Sequence, residues 1–140
     1  MLEVSDVLGG CVRALIIDDS TVMRKVIERS LRNSGLNLSE ILQASNGEEA
    51  LEILRRDAAS SPGLSLILSD INMPVMDGVT FLEQRLRENL AEGVPVVMIT
   101  TEGSESLVLR AIAAGAKGYI CKPFTADQVR SRVLPLLSGL

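Results

Sequence analysis

Five polar side chains stand directly behind apolar runs in this 140-residue chain. Asp18 and Asp19 follow Ala14–Ile17, Asp70 closes LSLILSD, Thr100 closes VPVVMIT, and Lys122 closes KGYICK. Adjacent carboxylates repel each other, and burying even one is costly unless something neutralises it. The chain has no histidine, which excludes histidine-based zinc sites, Ser-His-Asp triads and a phosphohistidine carried by this chain. Three carboxylates without His or Cys are hard oxygen ligands suited to Mg²⁺. An ammonium and a hydroxyl beside them supply what the oxygens of a transferring phosphoryl group need. One carboxylate could then act as nucleophile and form an acyl phosphate. Taken alone, each residue has a plainer reading: Asp18 and Asp19 can cap the next helix, Asp70 can be a solvated loop acid, Thr100 an ordinary strand former, and Lys122 a surface charge.

The elements that must position these groups alternate along the chain. Short β-branched apolar runs occupy Ala14–Ile17, Glu40–Ala44, Leu64–Leu68, Pro95–Thr100 and Gly118–Cys121. Between them apolar residues recur at helical spacing: Val22, Met23, Val26, Ile27 and Leu31, then Ala50, Leu51, Leu54 and Ala58, then Val79–Leu90, Leu107–Ala114, and Val129, Val133, Leu136 and Leu137. Asn46-Gly-Glu-Glu49 and Thr125-Ala-Asp-Gln128 read as capping boxes that open helices, while Gly35 and Gly115 sit where helices should stop. Near-continuous apolar strands alternating with helices predict an α/β fold, a parallel sheet covered on both faces, with five strands and five helices. The carboxyl ends of parallel strands share one sheet edge, where such folds bind ligands at the reversal of strand order, so all five polar residues can converge there.

Bulk composition fits one globular domain. The hydrophobic fraction is 46%, the charged fraction 23%, and aromatics only 2%, so the core is built from aliphatic side chains. A formal net charge of −4 gives no bulk attraction to nucleic acid or anionic membrane. No apolar run approaches the roughly 18 residues that span a bilayer, and the first residues lack a signal-peptide pattern. The cytoplasm is the expected compartment, and Cys11 and Cys121 are expected to be reduced and structural.

The motifs carry a resemblance. Asp18-Asp19-Ser20 followed by Met23-Arg24, then Asp70-Ile-Asn-Met-Pro-Val-Met-Asp-Gly78, Thr100, and Lys117-Gly-Tyr-Ile-Cys-Lys-Pro-Phe124 stand in order. The chain resembles the receiver domain of two-component signalling over residues 12–137, and within it the single-domain chemotaxis branch. The resemblance implies a flavodoxin-like, doubly wound (βα)5 sheet of strand order 2-1-3-4-5. It implies that Asp70 accepts a phosphoryl group from a histidine kinase. Asp19 and Asp70 would bind Mg²⁺ directly, with the Asn72 backbone carbonyl as third protein ligand and Asp18 acting mainly through a water. Lys122 and Thr100 would contact the phosphoryl oxygens, and Lys122–Pro123 would be a cis peptide. Thr100 and Tyr119 would form the switch that remodels the face made by the fourth helix, fifth strand and fifth helix. Asn72 and Glu102 resemble positions that tune hydrolysis of the phosphate.

Met73-Pro74 and Met76 are expected to shape the loop after Asp70, and Asp77-Gly78 to form a turn and helix start. The expected organisation is a tail at 1–10 and a receiver at 11–140, with output by protein contact and no DNA-binding domain after the last helix. One departure concerns the partner: the fourth helix opens Gly103-Ser-Glu-Ser-Leu-Val108, without the lysines typical of motor-binding members. Rival readings are a stand-alone relay or kinase-regulating adaptor outside chemotaxis, and a Mg²⁺-dependent phosphohydrolase with an aspartyl-phosphate intermediate. The latter needs an acid two residues after its nucleophile, where this chain has Asn72. A flavin binder shares the fold class, but the acidic edge would repel a flavin phosphate.

Overall fold

The computed structural model describes residues 12–60, 63–101 and 104–138. The calls on the 1–10 tail, Cys11, Glu102 and Gly103 lie outside them. Strands β1 (Val12–Ile17), β2 (Leu38–Ala44), β3 (Leu66–Ser69), β4 (Val96–Thr100) and β5 (Gly118–Cys121) alternate with helices α1 (Thr21–Asn33), α2 (Gly47–Asp57), α3 (Gly78–Arg87), α4 (Glu105–Ala113) and α5 (Ala126–Ser138). All strand pairs are parallel, in the order β2-β1-β3-β4-β5. The expected class, element count and strand order hold among the described residues.

Side-chain alternation along the strands divides the core between two faces. Leu15, Ile17, Ile67, Val96 and Met98 pack against Leu51 and Leu54 of α2, Phe81 and Leu82 of α3, and Ala111 of α4. Ala14, Ile16, Leu66, Leu68, Ile99 and Ile120 pack against Ile27 and Leu31 of α1 and Val129 and Val133 of α5. Every residue of β3 and β4 is buried, as expected of strands covered on both sides.

The caps follow the local sequence. Gln128 N–H donates to Thr125 Oγ1 at 3.1 Å while Thr125 N–H donates to Gln128 Oε1 at 2.8 Å, a complete capping box. At α2 the reciprocal arm is displaced by one residue: Asn46 Oδ1 accepts from Glu49 N–H, but Glu49 accepts from the N–H and hydroxyl of Ser45. Gly35 and Gly115 take φ of +91° and +108°, the left-handed stops their positions call for.

Several boundaries shift: β1 and β2 each begin two residues earlier than expected, at Val12 and Leu38, and β4 one later, at Val96. The third strand runs Leu66–Ser69 rather than Leu64–Leu68, so Asp70 lies immediately beyond its end. Helix α3 stops at Arg87 instead of Leu90, because Asn89 and Ala91 adopt φ of +54° and +50°, which no α-helix propagates. Cys121 is a free thiol and exposed rather than part of the core.

Candidate functional site

The parallel ladder continues one residue past the strand ends. Asp18 N–H donates to Ala44 O at 3.1 Å, Asp70 N–H to Ile17 O at 2.9 Å, and Lys122 N–H to Thr100 O at 2.8 Å. These bonds hold Asp18, Asp70 and Lys122 at a common level on the carboxyl edge. By alternation Asp18 follows Ala14 and Ile16, Asp70 follows Leu66 and Leu68, and Lys122 follows Ile120, all on the α1/α5 face. Three side chains distant in sequence therefore converge.

Lys122 Nζ donates to Asp18 Oδ2 at 2.9 Å and to Asp70 Oδ2 at 3.2 Å. Asp18 is 1% exposed and Asp70 8%, so the ammonium neutralises carboxylates that water scarcely reaches. The remaining oxygens are held by the backbone: Asp18 Oδ1 accepts from Ser20 N–H at 2.9 Å, and Asp70 Oδ1 from Ile71 N–H at 2.7 Å. Asp19 is exposed. Oxygens of Asp18, Asp19 and Asp70 all lie within 4.8 Å of one another. Three carboxylates against one ammonium leave two negative charges, the complement of a divalent cation.

Burial is the largest influence on Asp70 and raises its pKa above the usual carboxylate value; the Asp18 charge adds to this, while Lys122 and the Ile71 N–H oppose it. For Lys122, burial pulls the pKa down, but the hydrogen bond to Asp18 and the charges of Asp70 and Asp18 outweigh it, and the net shift is upward. An ionised Asp70 is thus the strained member of the set, and a cation would relieve it.

The donor set fits Mg²⁺: three clustered carboxylates supply hard oxygen ligands, with no nitrogen or sulfur ligand among them. Asp18 is engaged with Lys122 and Ser20, whereas Asp19 is open to solvent.

Thr100 ends β4 and is fully buried. Its register partner is Cys121, and Tyr119 pairs with Met98 on the same sheet face. Tyr119, on the edge strand β5, is 37% exposed. The Lys122–Pro123 peptide is cis. Asn72 is exposed in the loop after Asp70. Met73 and Met76 pack against the core beside that loop, and Asp77 caps α3 by accepting from Thr80 N–H at 2.8 Å. Gly78 is needed for close approach: a Cβ there would lie 2.2 Å from Asp70 O and 2.8 Å from Met98 Cε. Any side chain at that position would displace the Asp70 backbone.

Two polar residues of consequence were not assigned a role from sequence. Arg24 reaches the β1 end, donating from Nη1 to Asp18 O at 2.6 Å. Arg85 is buried in α3 and donates to Ala91 O and Val94 O, while its Nε has no hydrogen-bond partner. Helical spacing carries a signal for Arg85, which lies three residues after Leu82 and four after Phe81 on the buried face. Nothing in the sequence reveals the cross-strand contacts of Arg24.

Comparison with known proteins agrees with this geometry. A family model described as the response regulator receiver domain matches residues 14–134. The chain is 34% identical to the chemotaxis protein CheY1 of Helicobacter pylori over 87% of its own length and 94% of the relative's. It is 32% identical to a CheY homolog of Campylobacter jejuni over 90% and 92% of the two chains. Among solved structures, a chain of the CheX–CheY–BeF3–Mg²⁺ complex from Borrelia burgdorferi superimposes with a TM-score of 0.77 at 31% identity, covering 89% of this chain and 88% of that one. With strand order, acid cluster and family model in agreement, this chain belongs to the response regulator receiver domain family, whose members are signalling phosphoproteins, and is homologous to the chemotaxis regulators within it.

Proposed function

We propose that Asp70 is the phosphoacceptor of a Mg²⁺-dependent signalling switch. The observation that carries this reading is the placement of Asp70 Oδ2 at 3.2 Å from Lys122 Nζ, with oxygens of Asp18 and Asp19 within 4.8 Å. A carboxylate oxygen of Asp70 attacks the phosphorus of a phosphohistidine on a partner kinase; the P–N bond breaks, the histidine nitrogen leaves with the bonding pair, and an acyl phosphate forms. Asp19, Asp70 and the Asn72 carbonyl would hold Mg²⁺ directly, with Asp18 acting through a water, and the ion would supply positive charge for the phosphoryl oxygens. Lys122 is already poised between Asp18 and Asp70, so its ammonium can follow the charge as it moves onto the phosphoryl group. The hydroxyl of Thr100, at the end of β4, would donate a further hydrogen bond to the phosphoryl group.

The phosphorylated carboxyl carries more negative charge than the carboxylate it replaces, and that difference biases an element with two arrangements. Thr100 moves toward the phosphoryl group and Tyr119 turns inward from its exposed position, remodelling the face of α4, β5 and α5 for a downstream protein. Leu109 and Ile112, 58% and 49% exposed on α4, suit contact with a protein rather than nucleic acid. Chemotaxis is the favoured pathway because the similar CheY proteins serve it by name. The protein catalyses only its own phosphorylation and dephosphorylation, and works in the cytoplasm. No helix among the described residues is long and apolar enough to cross a membrane.

Intact-mass analysis after incubation with acetyl phosphate tests the reading. A labile gain of one phosphate that requires Mg²⁺ and disappears in Asp70→Asn is expected. No gain in a folded protein under any condition would overturn it.

A further inference from the structure

Asp19 is exposed, and among the described residues none donates a hydrogen bond to its carboxylate. Its direction is therefore set by the backbone on either side of it. On the C-terminal side, Ser20 N–H is tied to Asp18 Oδ1 at 2.9 Å, and Ser20 Oγ accepts from Met23 N–H at 3.1 Å. On the N-terminal side lies the Asp18–Asp19 peptide, whose carbonyl oxygen accepts from Arg24 Nη1 at 2.6 Å. The same guanidinium donates from Nε to Gln43 Oε1 at 2.9 Å and from Nη2 to Thr21 Oγ1 at 3.2 Å. It thus joins the end of β1, the end of β2 and the first turn of α1 through one planar, preorganised group.

We propose that Arg24 is a positioning residue of the cation site, holding the Asp18–Asp19 peptide plane so that the Asp19 carboxylate joins those of Asp18 and Asp70. The inference rests on the reading above that these acids take a divalent cation. A positive charge beside a cation site should weaken metal binding if it acts only through space. A clamp that aims a ligand should strengthen it, since the residues that orient metal ligands contribute about 10- to 100-fold in affinity. The two roles therefore predict opposite signs.

The test is Mg²⁺ titration by calorimetry on the full chain, beside thermal unfolding in EDTA, for wild type, Arg24→Met and Arg24→Lys. Arg24→Met is expected to bind Mg²⁺ about tenfold more weakly. Arg24→Lys, whose ammonium can reach the Asp18 carbonyl but cannot bridge to Gln43 as well, should lose about threefold. Unchanged or tighter Mg²⁺ binding in Arg24→Met would overturn the proposal, even if its melting temperature fell. Should Arg24→Met not fold, Arg24→Lys decides, and wild-type affinity there overturns it equally. Absence of Mg²⁺ binding in the wild type itself would instead sink the cation-site reading on which the proposal stands.

Discussion

Replacing Asp70 with Asn should stabilise the metal-free protein although it removes a hydrogen-bonded, ion-paired side chain. Asp70 faces Lys122 Nζ at 3.2 Å and two carboxylates within 4.8 Å. With an effective dielectric constant of about 20, the attraction is about 5 kcal/mol and each repulsion about 3.5 kcal/mol. The balance is a repulsion of about 2 kcal/mol, to which burial adds. Asn keeps an oxygen to accept the Ile71 N–H. Asp70→Asn in EDTA at pH 7 should therefore gain about 2 kcal/mol, a rise of about 6 °C in melting temperature for a domain of this size.

The pH dependence has a definite sign. The folded-state pKa of Asp70 is raised above its ordinary 3.8, by burial first, so its favourable contribution exists only below the unfolded value and is lost as pH rises through the raised one. The advantage of Asn should thus be absent near pH 3.8 and open above it. Mg²⁺ at ten times its Kd should return about 1.4 kcal/mol to the wild type and less to the variant. Calorimetric melts in EDTA and Mg²⁺ across pH read all three effects. A variant less stable than wild type in EDTA at pH 7, or a gap that ignores pH, would refute the balance of charges.

Other substitutions probe the neighbouring devices. Lys122→Met leaves Asp18 and Asp70 buried without their ammonium and should cost about 3–5 kcal/mol in EDTA, read by urea unfolding. Because the Lys122 pKa is raised above 10.5 in the folded state, its contribution is present below that value and lost as pH climbs through the raised one, so the gap from Lys122→Met should close in strong alkali. Val75 is 77% exposed at φ +70°, in a tight turn closed by Met76 N–H to Pro74 O at 2.8 Å. Val75→Gly should relieve the strain and raise stability by about 0.5–1 kcal/mol in the same assay. Arg85→Ala should lose about 3 kcal/mol, because it opens a cavity and strands the Ala91 and Val94 carbonyls; a neutral result would mean the buried guanidinium contributes nothing net.

The sequence by itself determined the order of elements and the edge on which the chemistry sits. Each of the apolar runs ahead of Asp18, Asp70, Thr100 and Lys122 is read by local pattern, and the Thr125–Gln128 capping box is closed by bonds between near neighbours. Tertiary structure decided what depends on contacts between distant segments. Local pattern alone does not tell Asp18 from Asp19, which only the family resemblance separates; the alternation of β1 and the arrival of Lys122 from the far end of the chain bury Asp18 and leave Asp19 open. The early end of α3 comes from left-handed residues no helical period reports. Arg24 bridges β1, β2 and α1 only once parallel pairing sets Gln43 and Ala44 beside Ile16 and Ile17. Periodicity is a property of neighbours along the chain, whereas charge balance and clamping arise where separate strand ends meet.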